Sequence, residues 1–410
     1  MAIPSTKVEL GFDLSDTGRG PYLTLDDPVA GQLDNADWVL GGTLFFDVTD
    51  KVRSVSVTRG KNRETDTFDP GLANVVFNNR DRTFDPTYED SPYYGQVIPK
   101  RQIRISSNDK FSFIGVVDDW NLDYQSVNEA TASAAASDAF TLFNTQTLTG
   151  GTQIAQTSGA RVNAILSDPS VAWPETSRSI DTGGQTLGAD YIEPGTNALQ
   201  YLQLVEQSEP GSFFIGKDGH VVFLDRTVAA TSGGVVLADD GSGIKWASAQ
   251  VVYGSEQLYN EIEINSAITG GTAVAVDTDS QTEYGIQNLT RNGLLMSTTE
   301  AAQELADYYA SKYSQPEYRF DAVTLILNEL TTDEANQILD LEIGSVVQIK
   351  FTPSNIPPAI ERYAEVIGIE HNIAPTQHEV LLRFATLDFT LLVLDDTQFG
   401  KLDAGNALAF

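Results

Sequence analysis

The sequence predicts a mainly β protein with some α (α+β), organised as several domains: two related β-domains and a helix-containing middle. Three observations carry this. Short runs alternating apolar and polar residues, separated by Gly, Pro, Asn and Asp, recur along much of the chain. The string Gln102-Ile103-Arg104-Ile105 returns as Gln348-Ile349-Lys350-Phe351, so one strand pattern is used twice. Between the two lie stretches with the 3.6-residue period of amphipathic helices. At 410 residues, 41% of them hydrophobic, the chain has the length for two to four domains and the apolar content that a disordered polyanion lacks.

Taken in order, residues 1–44 read as an N-terminal arm and 45–145 as the first β-domain. Val52, Val55 and Val57 alternate, then Ala73, Val75 and Phe77, then Ile103 and Ile105, then Phe113 to Val117. Within this domain, "TFDPGLANVVFNNRDRTFDP" (67–86) says the same four letters twice. Its acids and amides lack the alternate spacing, central Gly and terminal Glu of a calcium loop. An Asp-Pro step restricts the aspartate to extended backbone and favours turns. Asp69-Pro70 and Asp85-Pro86 are therefore read as two corners bracketing one short strand, with Asn78, Asn79 and Asp81 capping the turn through side-chain to backbone hydrogen bonds.

Residues 146–317 form the middle α+β region. Its first part, to 195, is rich in Thr, Ser, Gly and Gln with a short helix over 160–166. A helix then starts after Pro194-Gly195 with Thr196 as N-cap, puts Ala198, Leu199, Leu202 and Val205 on one face, and stops by Pro210-Gly211. A hairpin follows, Ser212 to Ile215 and His220 to Leu224 around Lys217-Asp218-Gly219. Further helices are predicted over Thr299–Tyr313 and Asp333–Leu339. Residues 318–392 read as the second β-domain, with strands from 246–265 added to it, and 393–410 as a C-terminal arm.

The duplication extends past the Gln-Ile string. Phe113 matches Tyr363, Val116 matches Val366, Glu129 matches Glu379, Ala135 matches Ala385, Asp138 matches Asp388 and Leu142 matches Leu392 at one constant offset. A second repeat joins the chain ends: "LDDPVAGQLD" (25–34) and "LDDTQFGKLD" (394–403) agree at six of ten positions, as arms on equivalent grooves or as ordinary acidic turns.

The formal net charge is −32, which repels nucleic acid over most of the surface, yet a non-adhesive acidic lumen beside DNA is compatible with it. The charge is uneven. From Lys51 to Arg104 there are ten cations against seven acids. Arg59, Lys61, Arg63, Arg80, Arg82, Lys100, Arg101 and Arg104 are the candidate subunit-interface residues, either docking on an acidic neighbour or paired locally on a solvated face.

No catalytic pattern stands out. The absence of cysteine excludes disulfides, thiolate metal sites and cysteine nucleophiles. There is no GxSxG, no phosphate-binding GxxxxGK[ST] and no GxGxxG, and His220, His371 and His378 lack the spacing of a metalloprotease. Asp277-Thr278-Asp279 with Glu283 is a calcium-like run without the required glycine. No cofactor, metal or catalytic residue is expected. The start of the chain lacks a secretion signal, and no apolar run reaches the ~18 residues of a membrane span.

Several stretches carry a family resemblance: "SVSVTRGKNRETDTFDPGLANVVFNNRDRTFDP" (54–86), "SPYYGQVIPKRQIRI" (91–105), "FIGVVDDWNLDY" (113–124), "ASDAF" (136–140), "NALQYLQLVEQSEPGSFFIGKDGHVVFLDR" (197–226) and "FGKLDAGNALAF" (399–410). They resemble the minor tail proteins of long-tailed (siphovirus-type) phages of actinobacteria, and through them the baseplate-hub or tail-associated family. That resemblance implies tube-like β-barrel or sandwich domains and a homotrimer at the tail tip. Such a trimer adapts a six-fold tube or distal tail ring to a three-fold tip, because each chain carries its contact twice. It also implies a virion location after assembly in the host cytoplasm, a place on the DNA exit path without specific DNA binding, and contacts with the distal ring, other tip proteins and the tape-measure protein. With the chain ending at Phe410, no receptor-binding or lytic module of the kind fused to longer tail-associated proteins is expected, and cell-wall cleavage is not implied. The alternatives are a six-fold distal tail ring protein, a tail-borne carbohydrate-degrading enzyme, or a host-binding module, for which Tyr88, Tyr93 and Tyr94 are the one tight aromatic group.

Overall fold

The structure, a computed structural model, describes residues 3–12, 44–126, 129–226 and 234–387. The "LDD" repeat at the two ends, the matches Asp138 to Asp388 and Leu142 to Leu392, and the C-terminal arm lie outside these residues in whole or in part.

The first β-domain contains β1 (Thr6–Phe12), β2 (Leu44–Asp47), β3 (Val52–Gly60), β4 (Asp69–Asn78), β5 (Gln102–Ser107), β6 (Lys110–Ser126) and β7 (Glu129–Ser137). Thr6–Phe12, read from sequence as part of an arm, is instead a strand paired with β5, because Val8, Leu10 and Phe12 alternate and are fully buried. The alternation fixes which face is core. On β4, Ala73, Val75 and Phe77 point inward against Ala136, Ala134 and Ala132 of β7, small residues opposite large ones. Phe77 and Phe84 fill the remaining space, their ring centroids 4.4 Å apart, with Trp120 stacked 5.9 Å from Phe84.

The middle begins with α1 (Ala139–Thr145), β8 (Gly151–Gln153), β9 (Gln156–Thr157), α2 (Ser158–Leu166), β10 (Arg178–Ile180), β11 (Thr186–Leu187) and β12 (Asp190–Ile192). It continues through α3 (Ala198–Ser208) and the hairpin β13 (Ser212–Ile215) and β14 (Val221–Leu224). The N-cap of α3 is Asn197, not Thr196: the Asn197 side chain accepts from the Gln200 amide at 3.0 Å, while the Thr196 hydroxyl is used on the Glu193 carbonyl. Ala198, Leu199, Leu202 and Val205 are buried as their spacing requires.

After β15 (Val235–Ala238) and β16 (Ser248–Tyr253) comes a small sheet of β17 (Glu261–Ser266), β18 (Thr272–Val276) and β19 (Asn288–Leu294). Within it α4 (Thr278–Tyr284) is capped by Asp277, whose carboxylate accepts from the Ser280 amide. The calcium-like run is thus a helix start. Helix α5 (Thr299–Tyr313) buries Ala302, Leu305 and Ala306 on this sheet. The second β-domain follows with β20 (Tyr318–Ile326), α6 (Thr332–Asp340), β21 (Val346–Phe351), β22 (Ile360–Ala374) and β23 (Gln377–Thr386).

The two β-domains share one sheet of thirteen strands, ordered β16-β20-β23-β22-β3-β4-β7-β6-β5-β1-β2, with β21 beside β22 and β15 beside β21. The order β3-β4-β7-β6-β5 therefore recurs as β16-β20-β23-β22-β21. Register agrees as well. The row Ser56, Asn74, Ala135, Asp119 across the first set is matched by Gln250, Ala322, Arg383, Gly368 across the second. The counterpart of Ala135 is thus Arg383 rather than Ala385, and the buried Val366 answers Val117 rather than Val116. A slip of two residues keeps every side chain on its proper face, so alternating sequences align equally well either way. Each set also carries a bulge at one place, between Val117 and Asp119 and between Val366 and Gly368.

Candidate assembly interface

The doubled "TFDP" is a structural turn. Asn79, fully buried, accepts from the Phe84 amide at 2.9 Å, Asp81 accepts from the Thr83 amide, and Asn78 from the Arg80 amide. Burial alone would raise the Asp85 carboxyl, but hydrogen bonds from Thr87, Arg82 and Tyr124 outweigh it and hold the group down at about 2. Asp69-Pro70 is not a corner: the pair opens β4, at a strand start where proline is tolerated. Among the described residues no group of three or more His, Cys, Asp or Glu is placed to hold a metal ion.

The eight candidate cations do not gather into one bare patch. Arg59 and Lys61 are 5% and 9% exposed, which removes both from any docking surface. Arg59 donates to the Ile215 carbonyl at 2.8 Å and to Glu342 at 2.7 Å. The second Glu342 oxygen accepts from the Lys217 amide, and the Lys217 ammonium binds the carbonyls of Leu339, Asp340 and Leu341 at the end of α6. One buried guanidinium thus ties β3, the β13–β14 hairpin and the second β-domain together. Lys61 donates to the Glu64 carbonyl and lies 4.6 Å from the Phe68 ring centroid. At the surface Arg63 pairs with Glu256, Arg80 with Glu129, Arg82 with Asp85 and Lys100 with Asp118. Arg104 lies over the Phe45 ring, and Arg101 is half-buried. Five of the eight cations, Arg59, Arg63, Arg80, Arg82 and Lys100, thus have a carboxylate partner within the chain.

The shared sheet has a second, uncovered face. Its positions on β3, β4, β7 and β6 are Ser54, Ser56 and Thr58, then Asn74, Val76 and Asn78, then Thr131 and Ser133, then Asn121 and Asp123. On the second set it continues with Glu370, Asn372, Glu379 and Arg383. Arg383 is held by Glu370 through two bonds of 3.0 and 2.6 Å, leaving a surface mainly of short hydroxyl and amide groups with an acidic excess, interrupted by Val76, Leu381 and the 56%-exposed Leu72.

Between the two sets, residues 368–373 of β22 pair antiparallel with residues 60–55 of β3. Gly60 is required there: its φ is +99°, and a Cβ would come 2.2 Å from the Ile367 carbonyl oxygen. The equivalent elements at the other end of the repeat are left open. Strand β16 has no partner beyond β20, and β6 has none beside residues 119–124 on the side where β5 ends, among the described residues. Gly254 follows β16 at the place of Gly60, with nothing closer than Val252 at 3.9 Å to its missing Cβ. Tyr253 and Tyr124 stand 68% and 54% exposed along these edges.

It shares its fold with phage tail proteins. The chain superposes on a 43 kDa tail protein of prophage MuSo2 from Shewanella oneidensis with a TM-score of 0.59 at 13% identity, covering 93% of this chain and 98% of that one. A tail protein from Neisseria meningitidis MC58 gives 0.56 at 11% identity, covering 84% and 94%. No family model matches the sequence, and no curated protein matches it either. The likeness is thus one of backbone fold rather than of residue identity. The mostly β, multidomain architecture read from the sequence is the one observed.

Sequence reading concentrated on the charges and missed the open edges. Two signals were present: Gly60 and Gly254 close corresponding strands, and the Ser/Thr/Asn positions of β3, β4 and β7 alternate with core residues. Of the tyrosine trio, Tyr93 packs on Phe12 at 4.7 Å and Tyr88 under Arg82 at 4.6 Å, leaving Tyr94 as the most exposed.

Proposed function

We propose that the chain is a structural tail-tip hub subunit that forms a homotrimeric ring, adapts a six-fold tube or distal tail ring to a three-fold tip, and lines the DNA exit channel with its uncovered sheet face. One observation carries the reading: the strand pairing that joins the two β-sets within the chain has a twin at their outer ends that is unfilled among the described residues. Residues 249–254 of one copy against residues 119–124 of the next repeat the β22–β3 pairing, remove both open edges, and close three chains into six related units. Ring closure puts the Ser/Thr/Asn face with its surplus carboxylates on the channel wall, where it repels phosphate and lets DNA pass. The activity is mechanical, with no enzymatic step. The protein belongs to the virion tail, beside the distal ring and tape-measure proteins.

The test uses a chain that has no cysteine of its own. Ser56 and Asn372 are Cα partners at the internal seam, and their counterparts are Gln250 and Asp123. Gln250→Cys with Asp123→Cys places two thiols on directly opposed residues of neighbouring copies, within disulfide reach. Oxidation is expected to give a covalent trimer from the double variant and monomers from either single variant. A purified protein that stays monomeric, or that fails to cross-link as a trimer, refutes the ring; a native hexamer favours the distal-ring alternative.

A further inference from the structure

A cavity of about 750 Å³ opens where the loop after β3, the α3–β13 turn, the end of α5 and the strands β22 and β23 meet. It is of the size of ordinary ligand pockets, ~300–1,000 Å³. Nothing in the tail-tip reading uses it.

Its wall combines three kinds of group. Tyr308, Tyr309 and Tyr313, from the last turns of α5, form a connected aromatic bank, with ring centroids 5.6 Å apart for the first pair and 5.9 Å for the second. Lys61, Arg291 and Lys312 supply donors, already held in place by Glu64 or the Thr65 carbonyl. Glu206 and Glu365 supply carboxyl groups. Glu206 is the informative one: it is 4% exposed, lines the cavity, and its Oε2 has no hydrogen-bond partner. An unmade bond of this kind costs ~1–3 kcal/mol, which a ligand hydroxyl recovers once a side-chain rotation turns Oε2, shielded from solvent as it stands, towards the cavity.

The balance of the wall selects the ligand's chemistry. Burial pushes the Glu206 carboxyl up to about 8 and raises Glu365 as well, so both are held towards the neutral form. A neutral carboxyl both donates and accepts, as a sugar hydroxyl does. Cations and ionised acids elsewhere on the wall answer one another, which disfavours a strongly charged ligand. Aromatic rings beside such groups offer flat apolar surface for the C–H face of a sugar ring. We propose that this cavity binds a short neutral oligosaccharide, with the α5 tyrosines as stacking surface and Glu206 as the buried hydrogen-bonding anchor.

The assay is saturation-transfer NMR and calorimetry of the full chain with a panel of neutral di- to tetrasaccharides that includes chitotriose and maltotriose. Saturable binding of at least one panel member is expected, weakened about tenfold by Glu206→Leu, which removes the anchor in an apolar shape of similar size and leaves the fold intact. Glu206→Gln, which keeps a donor and an acceptor, is expected to retain binding. Tyr309→Ala is expected to lower affinity independently, its fold checked by thermal unfolding. No saturable binding across the panel overturns the proposal, as does binding that neither Glu206→Leu nor Tyr309→Ala alters. The outcome is separate from trimer formation, which the cysteine pair reads on its own.

Discussion

Replacing Glu342 by Ala is expected to destabilise the protein by ~3 kcal/mol, because it strands a buried charge. The Arg59 side chain is 4% exposed and has two partners, the Ile215 carbonyl and Glu342. Removing the carboxylate leaves the guanidinium with one neutral hydrogen-bond acceptor, the Ile215 carbonyl, and beside it the Asp138 carboxyl, which burial pushes up to about 7 and so holds towards its neutral form. Breaking a buried pair from one side costs ~3–5 kcal/mol, and the 26% exposure of the Glu342 side chain places this case at the low end. The same carboxylate also receives the Lys217 and Ile343 amides, so its loss loosens the β13–β14 hairpin against α6. Urea unfolding of wild type, Glu342→Ala, Glu342→Leu, Arg59→Met and the double variant Arg59→Met/Glu342→Leu forms the test, the last three closing a cycle with wild type. The double variant, which removes both charges and keeps apolar volume, is expected within ~1 kcal/mol of wild type. A Glu342→Ala cost below ~1 kcal/mol, or additive losses in the double variant, would refute the view that this pair joins the three parts.

Acid should weaken the fold near the β22–β23 hairpin. His371 and His378 are buried with Nδ1 and Nε2 3.1 Å apart, and burial holds His378 down at about 4 and His371 well below its usual range. Their contribution is complete above the unfolded value near 6.5 and is lost as pH falls towards 4, at up to ~1.4 kcal/mol per pH unit for each group; His378→Gln should flatten that limb of a urea-midpoint profile. On the alkaline side the sign reverses. Glu206, raised to about 8, keeps a proton that the unfolded chain releases above ~4.5, so stability falls as pH rises through that window and Glu206→Gln should remove the slope. Gly60→Ala should cost at least ~2 kcal/mol and expose the β3–β22 seam to hydrogen exchange, since a Cβ there meets the Ile367 carbonyl; an unchanged exchange pattern would show the seam tolerates the substitution.

Much of the architecture was legible because it depends on local rules. The limits of α5 follow from a capping Thr298 and the spacing of Ala302, Leu305 and Ala306. The β13–β14 hairpin follows from two apolar runs around Lys217-Asp218-Gly219, and the turn at Asn78 to Asp85 from short polar side chains beside their own backbone. The charged stretch was legible only as composition. Whether Arg59 stands on a surface or inside a junction depends on Ile215 and Glu342, far along the chain, and no local pattern encodes that meeting.

By itself, the sequence determined a β-rich chain with a duplicated strand set, a helical middle and no cysteine chemistry, since alternation, period and composition act within a few residues. The tertiary structure alone decided the repeat's register, the sharing of one sheet by both sets, and the two edges left without a partner among the described residues. The physical reason is that a strand's sequence fixes its inside and outside but not its neighbour. A slip of two residues costs nothing in pattern, and only the packed sheet shows which hydrogen-bonding edge is already filled.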